Sequence, residues 1–228
     1  MSEDFFLSVR GSISDQRLDA YRQSHTDTDV DLLGRYLWNT ALCEALYPTL
    51  QNLEIALRNN IYNATQISFD NCNWLDDPDI LVAQQLKSVA KAKREILNSG
   101  RNATIGRVIA ELTFGFWTSL FDRKYDQIFW NRKTLITIAF PNMPNRIRNR
   151  HTLSKRFGEI RKLRNRAFHH EPIWNNNHLQ QQHADLIDAI NWLNPNLKNT
   201  IVVILDRFPL VYNEGSQPYS EQIQEFLR

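Results

Sequence analysis

Apolar side chains recur at threes and fours through Leu32, Leu33, Tyr36, Leu37, Leu42, Leu46, Leu50, Leu53, Leu57 and Ile61. That spacing predicts a long helix from about residue 29 to residue 66. Pro48 falls inside the pattern and is expected to kink the helix or divide it in two. A short helix, residues 14–23, is expected ahead of it, capped by Ser12 or Ser14. Downstream, residues 71–79 read as a loop and residues 79–98 as a helix stopped at Gly100. Thr104 is placed to cap the next helix, which carries Val108, Ile109, Leu112, Phe116 and Leu120. Residues 123–140 read as further helix, ended by Pro141 and Pro144. A basic helix begins between residues 145 and 153 and stops before Pro172, because the residue preceding proline avoids helical backbone. Residues 179–193 and 197–207 complete the set. The run Ile201, Val202, Val203, Ile204, Leu205 would also suit a buried strand, but nothing nearby offers it a partner.

The expectation is an all-α fold with a single helical domain spanning 1–228. Residues 1–28 form an N-terminal extension, 141–174 the segment of the basic helix, and 208–228 an irregular tail. Only seven glycines and eight prolines are present, too little turn material for a fold of many short strands.

Composition adds a compartment and excludes some chemistries. Charge interrupts the N-terminus before a signal-peptide apolar stretch can form, and no run approaches the roughly 20 residues that span a bilayer. Cys43 and Cys72 form no CxxC pair and no metal-ligand spacing. The reading is a reduced, cytoplasmic protein with no membrane partner, no cofactor and no metal. A set of His169, His170, His178 and His183 resembles no common zinc pattern.

Net charge is only +2, but it is unevenly spread. Nine cations lie between Pro141 and His170 (Arg146, Arg148, Arg150, Lys155, Arg156, Arg161, Lys162, Arg164, Arg166), against one acid, Glu159. The rest of the chain is therefore net negative. One strongly positive segment on a near-neutral protein is what a polyanion site needs, and RNA is the partner it suggests.

Within that segment, Arg164-Asn165, three further residues and His169 make an RNxxxH pattern, with His170, Glu171 and Pro172 directly after. The combination suits RNA cleavage without a metal. Histidine gives or takes a proton near neutral pH. Arginine offers a planar fork of donors to a phosphate and to its pentacovalent transition state. The RNA supplies its own 2′-hydroxyl as nucleophile. Leu153, Phe157, Ile160, Leu163 and Ala167 make the apolar face of this helix, while Arg161, Asn165 and His169 form a stripe opposite. On a regular helix Arg164 lies about 140° from His169. The two then meet at one phosphate only if the helix loosens before Pro172, or if two chains pool their residues. The second route makes a homodimer part of the mechanism. The structural alternative is that Arg164 is an ion-pair residue and the histidines close a helix end, where the helix dipole favours them.

The sequence resembles the Abi-like (abortive infection) family, a branch of the HEPN superfamily, in three blocks: residues 42–60, 111–121 and 163–174. The resemblance implies a HEPN-like helical bundle with additional helices and a homodimer. It also implies a metal-independent ribonuclease site, serving bacterial anti-phage defence or a toxin–antitoxin pair. Residue by residue, it assigns Arg164 and His169 to the Arg and His of the family motif and Asn165 to the polar residue after the Arg. Phe168 stands where family members often have a small residue before paired histidines.

Glu54 and Arg58, one turn apart on the first long helix, are candidates to support the site or to pair with each other. The cluster Phe114, Gly115, Phe116, Trp117 reads as core rather than as a stacking platform, with Gly115 allowing a close helix approach. The leading expectation is thus an endoribonuclease. The alternative is a non-catalytic RNA-binding module that holds a cognate, inhibitory non-coding RNA.

Overall fold

The computed structural model describes residues 2–228. Among them every regular element is helical, as the turn-poor sequence requires. The frame is α3, Asp29–Phe69, a helix of 41 residues. It opens on a capping box: Thr28 Oγ1 accepts from Asp31 N at 3.3 Å, and Asp31 Oδ2 accepts from Thr28 N at 2.8 Å. Its buried residues are not confined to one stripe. Leu32, Leu33 and Gly34 are consecutive, and Leu42, Leu46, Leu53, Leu57 and Ile61 follow. Such a helix must be covered on several sides. Around it lie α4 (Ala83–Asn98), α5 (Ile105–Glu111), α6 (Phe114–Ser119), α7 (Lys133–Ala139), α8 (Arg150–Phe168) and α9 (Leu179–Leu193). Pro48 does not divide α3. A proline inside a helix costs about 3 kcal/mol, and the burial of Leu42, Ala45, Leu46, Thr49 and Leu50 on either side of it offsets that.

Several sequence expectations are corrected. The helix expected over residues 104–120 breaks at Leu112 into α5 and α6, where Thr113 Oγ1 caps α6 through Phe116 N at 3.3 Å. Residues 123–140 are only partly α-helical: a 3₁₀ turn and a π turn precede α7. The helix expected over residues 197–207 is present as α10 (Pro195–Ile204), and it ends three residues short of the expected bound. The irregular tail expected over 208–228 is instead α11 (Phe208–Glu214) and α12 (Gln217–Phe226).

The N-terminal extension is helical too, as α1 (Ser2–Ile13) and α2 (Asp15–Asp19), with Ser14 as the α2 cap. These helices and α12 share a small second core, in which Leu18, Leu33 and Ile223 are buried against Phe5, Phe6, Val9 and Ile13. Gly34 makes the packing of α12 possible. A β-carbon there would stand 2.1 Å from Ser220 Oγ and 3.1 Å from Ser220 N. Gly115, expected to serve close approach, has only Thr113 Oγ1 nearby, at an ordinary 3.6 Å.

Candidate functional site

Helix α8 presents the motif. Asn149 caps its start, Oδ1 accepting from Thr152 N at 2.9 Å. Leu153, Phe157, Ile160, Leu163 and Ala167 are its buried face, the same five residues that the apolar spacing selects. Phe157 stacks on Phe121 at 5.1 Å and lies 5.8 Å from Phe140, which fixes the rotation of the helix about its axis.

The C-terminal end is a Schellman arrangement. Glu171 N donates to Arg166 O at 2.9 Å, and His170 N to Ala167 O at 3.2 Å. His170 occupies the position usually held by glycine, with φ of +59°. A side chain at positive φ is strained. The strained turn is tied from three directions. Arg17 Nη2 of α2 donates to His170 O, and Arg166 Nη2 donates to Pro172 O. Asn39 Oδ1 of α3 accepts from Ile173 N at 2.7 Å and from Trp174 N at 3.2 Å. Asn165, His169, His170 and Glu171 all remain exposed on this anchored end.

Arg164 points the other way. Its Nη2 is 3.8 Å from Glu54 Oε2 on α3, and its Cζ lies 4.4 Å over the ring of Phe168. Phe168 in turn stacks on Tyr47 at 5.4 Å. The Nε of Arg164 is buried with no hydrogen-bond partner, as is that of Arg58. Glu54 therefore meets Arg164 rather than Arg58, whose Nη1 reaches Ala110 O at 3.5 Å. Phe168 is the platform on which the arginine lies. Within one chain, Arg164 is half-buried while the histidines face solvent.

Apart from Arg164, the cations of the basic segment divide into two groups. Arg148 is spent on carbonyls, its Nε on Met143 O at 2.9 Å and its Nη2 on Pro141 O at 3.1 Å. Arg150 pairs with Asp126 and donates to Phe121 O at 2.9 Å. Arg156 pairs with Asp185 at 3.0 Å and lies 4.8 Å over Trp192. Arg166 ties the turn, its Nε 3.7 Å from Glu171. These four hold the fold together. Arg146, Lys155, Arg161 and Lys162 are exposed, the last beside Glu159 at 2.8 Å. This second group can meet a polyanion at little cost, since its contacts are the exposed pair of Lys162 with Glu159 and a 3.5 Å bond from Arg161 to Thr118 Oγ1.

Phe114, Phe116 and Trp117 are buried and belong to the main core. The histidines weighed as a metal set are dispersed. His183 is buried, 3.0 Å from Asp206 Oδ1, and stacks on Phe208 at 4.4 Å. Among the described residues no group of His, Cys, Asp and Glu could hold a metal ion, and no helix is long and apolar enough to cross a membrane.

Sequence reasoning passed over Arg17, Asn39 and Tyr47. Asn39 left one signal, an amide three residues after Tyr36 and three before Leu42, in phase with the apolar pattern of α3. Arg17 and Tyr47 left none, because each acts on a residue far away in the chain.

The family model described as Abi-like protein matches residues 3–175. The matched stretch runs from α1 through the Asn39-bound Ile173 and Trp174, and leaves α9–α12 outside it. No curated protein and no solved structure matches the chain.

Proposed function

Because the chain belongs to the Abi-like protein family, we propose that it acts in abortive infection as a metal-independent, HEPN-type endoribonuclease. The observation that carries this reading is the α8 terminus. It holds His170 in a strained conformation, anchored by α2 and α3, with His169 beside it and both side chains in solvent. Glycine would adopt that backbone conformation at no steric cost, so a working side chain is a reason for the strain to be kept.

In the proposed reaction a histidine removes the proton of a 2′-hydroxyl, and that oxygen attacks the adjacent phosphorus. The 5′-oxygen leaves and takes up a proton. The products are a 2′,3′-cyclic phosphate and a 5′-hydroxyl end. Arg164, oriented by Glu54 and Phe168, offsets the charge gathered on the phosphoryl oxygens. Because Arg164 and the histidines of one chain diverge, two copies meet at their α8 ends and pool these residues. Asn165 and Glu171 border the same surface.

The test is incubation of wild-type protein and the His169→Ala/His170→Ala double variant with total RNA in EDTA. Wild type should leave cyclic-phosphate ends, and the double variant should cleave at least about a hundredfold more slowly. Equal cleavage by both, or cleavage abolished by EDTA, would overturn the reading.

A second reading is supported by the exposed cations Arg146, Lys155, Arg161 and Lys162. They suit an RNA-holding module, bound to an inhibitory non-coding RNA and lacking cleavage. Affinity would then fall steeply with salt and would not change in the histidine variant.

A further inference from the structure

A cleft of ≈ 410 Å³ opens directly beside His170, between the α1–α2 region and the N-terminal third of α3. Its walls include Ser12 and Arg17 on one side and Tyr36, Asn39 and Thr40 on the other. The volume is within the range of small-molecule sites. Its lining contains no carboxylate, so a polar ligand meets donors and one cation but no fixed negative charge. Cys43, also on the wall, stays a neutral thiol, because burial pushes its pKa up to about 11.

Two features point to a ligand with acceptor atoms on a flat ring. Asn39 is only 4% exposed, and both backbone bonds it receives fall on Oδ1. Its Nδ2 is left a long contact with Cys43 Sγ at 3.9 Å. A buried amide donor so weakly satisfied has capacity for a better acceptor. Tyr36 contributes an aromatic surface beside it, edge-on to Tyr21 at 5.5 Å. Arg17, already bonded to the His170 carbonyl, places a guanidinium at the mouth.

We propose that this cleft is a nucleobase subsite, which takes the base adjacent to the phosphate addressed by His169 and His170. The inference rests on the ribonuclease reading for the identity of its ligand. It names where substrate preference arises: Asn39 Nδ2 donates to a ring carbonyl or ring nitrogen, Tyr36 packs against the base, and Arg17 covers the sugar-phosphate side. Because Asn39 also holds Ile173 and Trp174, occupation of the cleft and the geometry of the histidine turn are linked through one side chain.

The experiment measures binding of the four nucleoside 3′-monophosphates to the full chain, with ribose 5-phosphate as the base-free probe. Wild type is compared with Thr40→Phe, which fills the cleft from α3, and with Ser12→Phe, which fills it from the opposite wall. At least one nucleotide should bind about tenfold more tightly than ribose 5-phosphate, and either folded variant should erase that preference. Equal binding of nucleotide and ribose 5-phosphate would reduce the cleft to an anion site and overturn the proposal. A preference that survives both variants would overturn it as well. RNA cleavage by the same preparations separates the two readings. Cleavage with no nucleotide preference sinks the subsite alone, while preference without cleavage sinks the ribonuclease alone.

Discussion

At the scale of single residues, His170 distinguishes catalysis from architecture. Its φ of +59° is native to glycine and costly for a side chain. His170→Gly should therefore raise stability, by about 1 kcal/mol or less once the greater freedom of glycine in the unfolded chain is counted. If His170 acts on RNA, the same change should remove cleavage. Thermal unfolding and cyclic-phosphate formation, measured on one preparation, give both numbers. A variant that is more stable and equally active would make His170 a helix terminator only. Arg164 teaches a related lesson. Helical geometry places it at the edge of the apolar face, but only Glu54, Phe168 and Tyr47 decide that its guanidinium lies inward.

At the scale of elements, α3 is the scaffold on which every part of the site is measured. Asn39, Tyr47 and Glu54 lie about two turns apart along it and reach the Ile173–Trp174 segment, Phe168 and Arg164 in that order. Its N-terminal half depends on α12 for cover, and α12 approaches at Gly34. Gly34→Ala forces a methyl group within 2.1 Å of Ser220 Oγ and 3.1 Å of Ser220 N. The hydroxyl can rotate away, but the backbone cannot. We expect a loss of about 1–3 kcal/mol, the usual cost of overpacking. Proteolysis at the α11–α12 junction should increase with it. Unchanged unfolding in denaturant would show that α12 adjusts freely. The periodicity of α8 and α9 was legible in advance, because each has one apolar face. Helices α11 and α12 were not, because they are short and draw their stability from α3 rather than from their own sequence.

At the scale of the whole molecule, the C-terminal helices are joined by the pair His183–Asp206, which links α9 to the α10–α11 turn. Burial holds His183 below its ordinary pKa, and Asp206 opposes that only in part. The folded state therefore favours the neutral ring. In the unfolded chain the ring protonates near pH 6.5, so the unfolded state binds more protons below that pH. Stability is fully present above about pH 6.5 and falls as pH drops from there toward the lower folded pKa. The melting temperature of wild type should fall between pH 7 and pH 5 more steeply than that of His183→Gln, which keeps a donor for Asp206 but does not titrate. Parallel curves would remove His183 from the account. The pair lies beyond residues 3–175, so it concerns the stability of the whole chain rather than the family-matched region.

The sequence by itself determined the class of fold, the long axial helix, the buried face of α8 and the position of the Arg and His motif. These follow from local rules, periodicity and the scarcity of turn residues, which act within a few residues of chain. Tertiary structure alone decided which four arginines are consumed by carbonyls and carboxylates, and which cations stay exposed. It also decided that Glu54 meets Arg164, that Asn39 holds the segment after the histidines, and that the tail is two helices. Each of those pairings joins residues far apart in sequence, and the side chain's partner is set by how helices pack, a choice that no local pattern encodes.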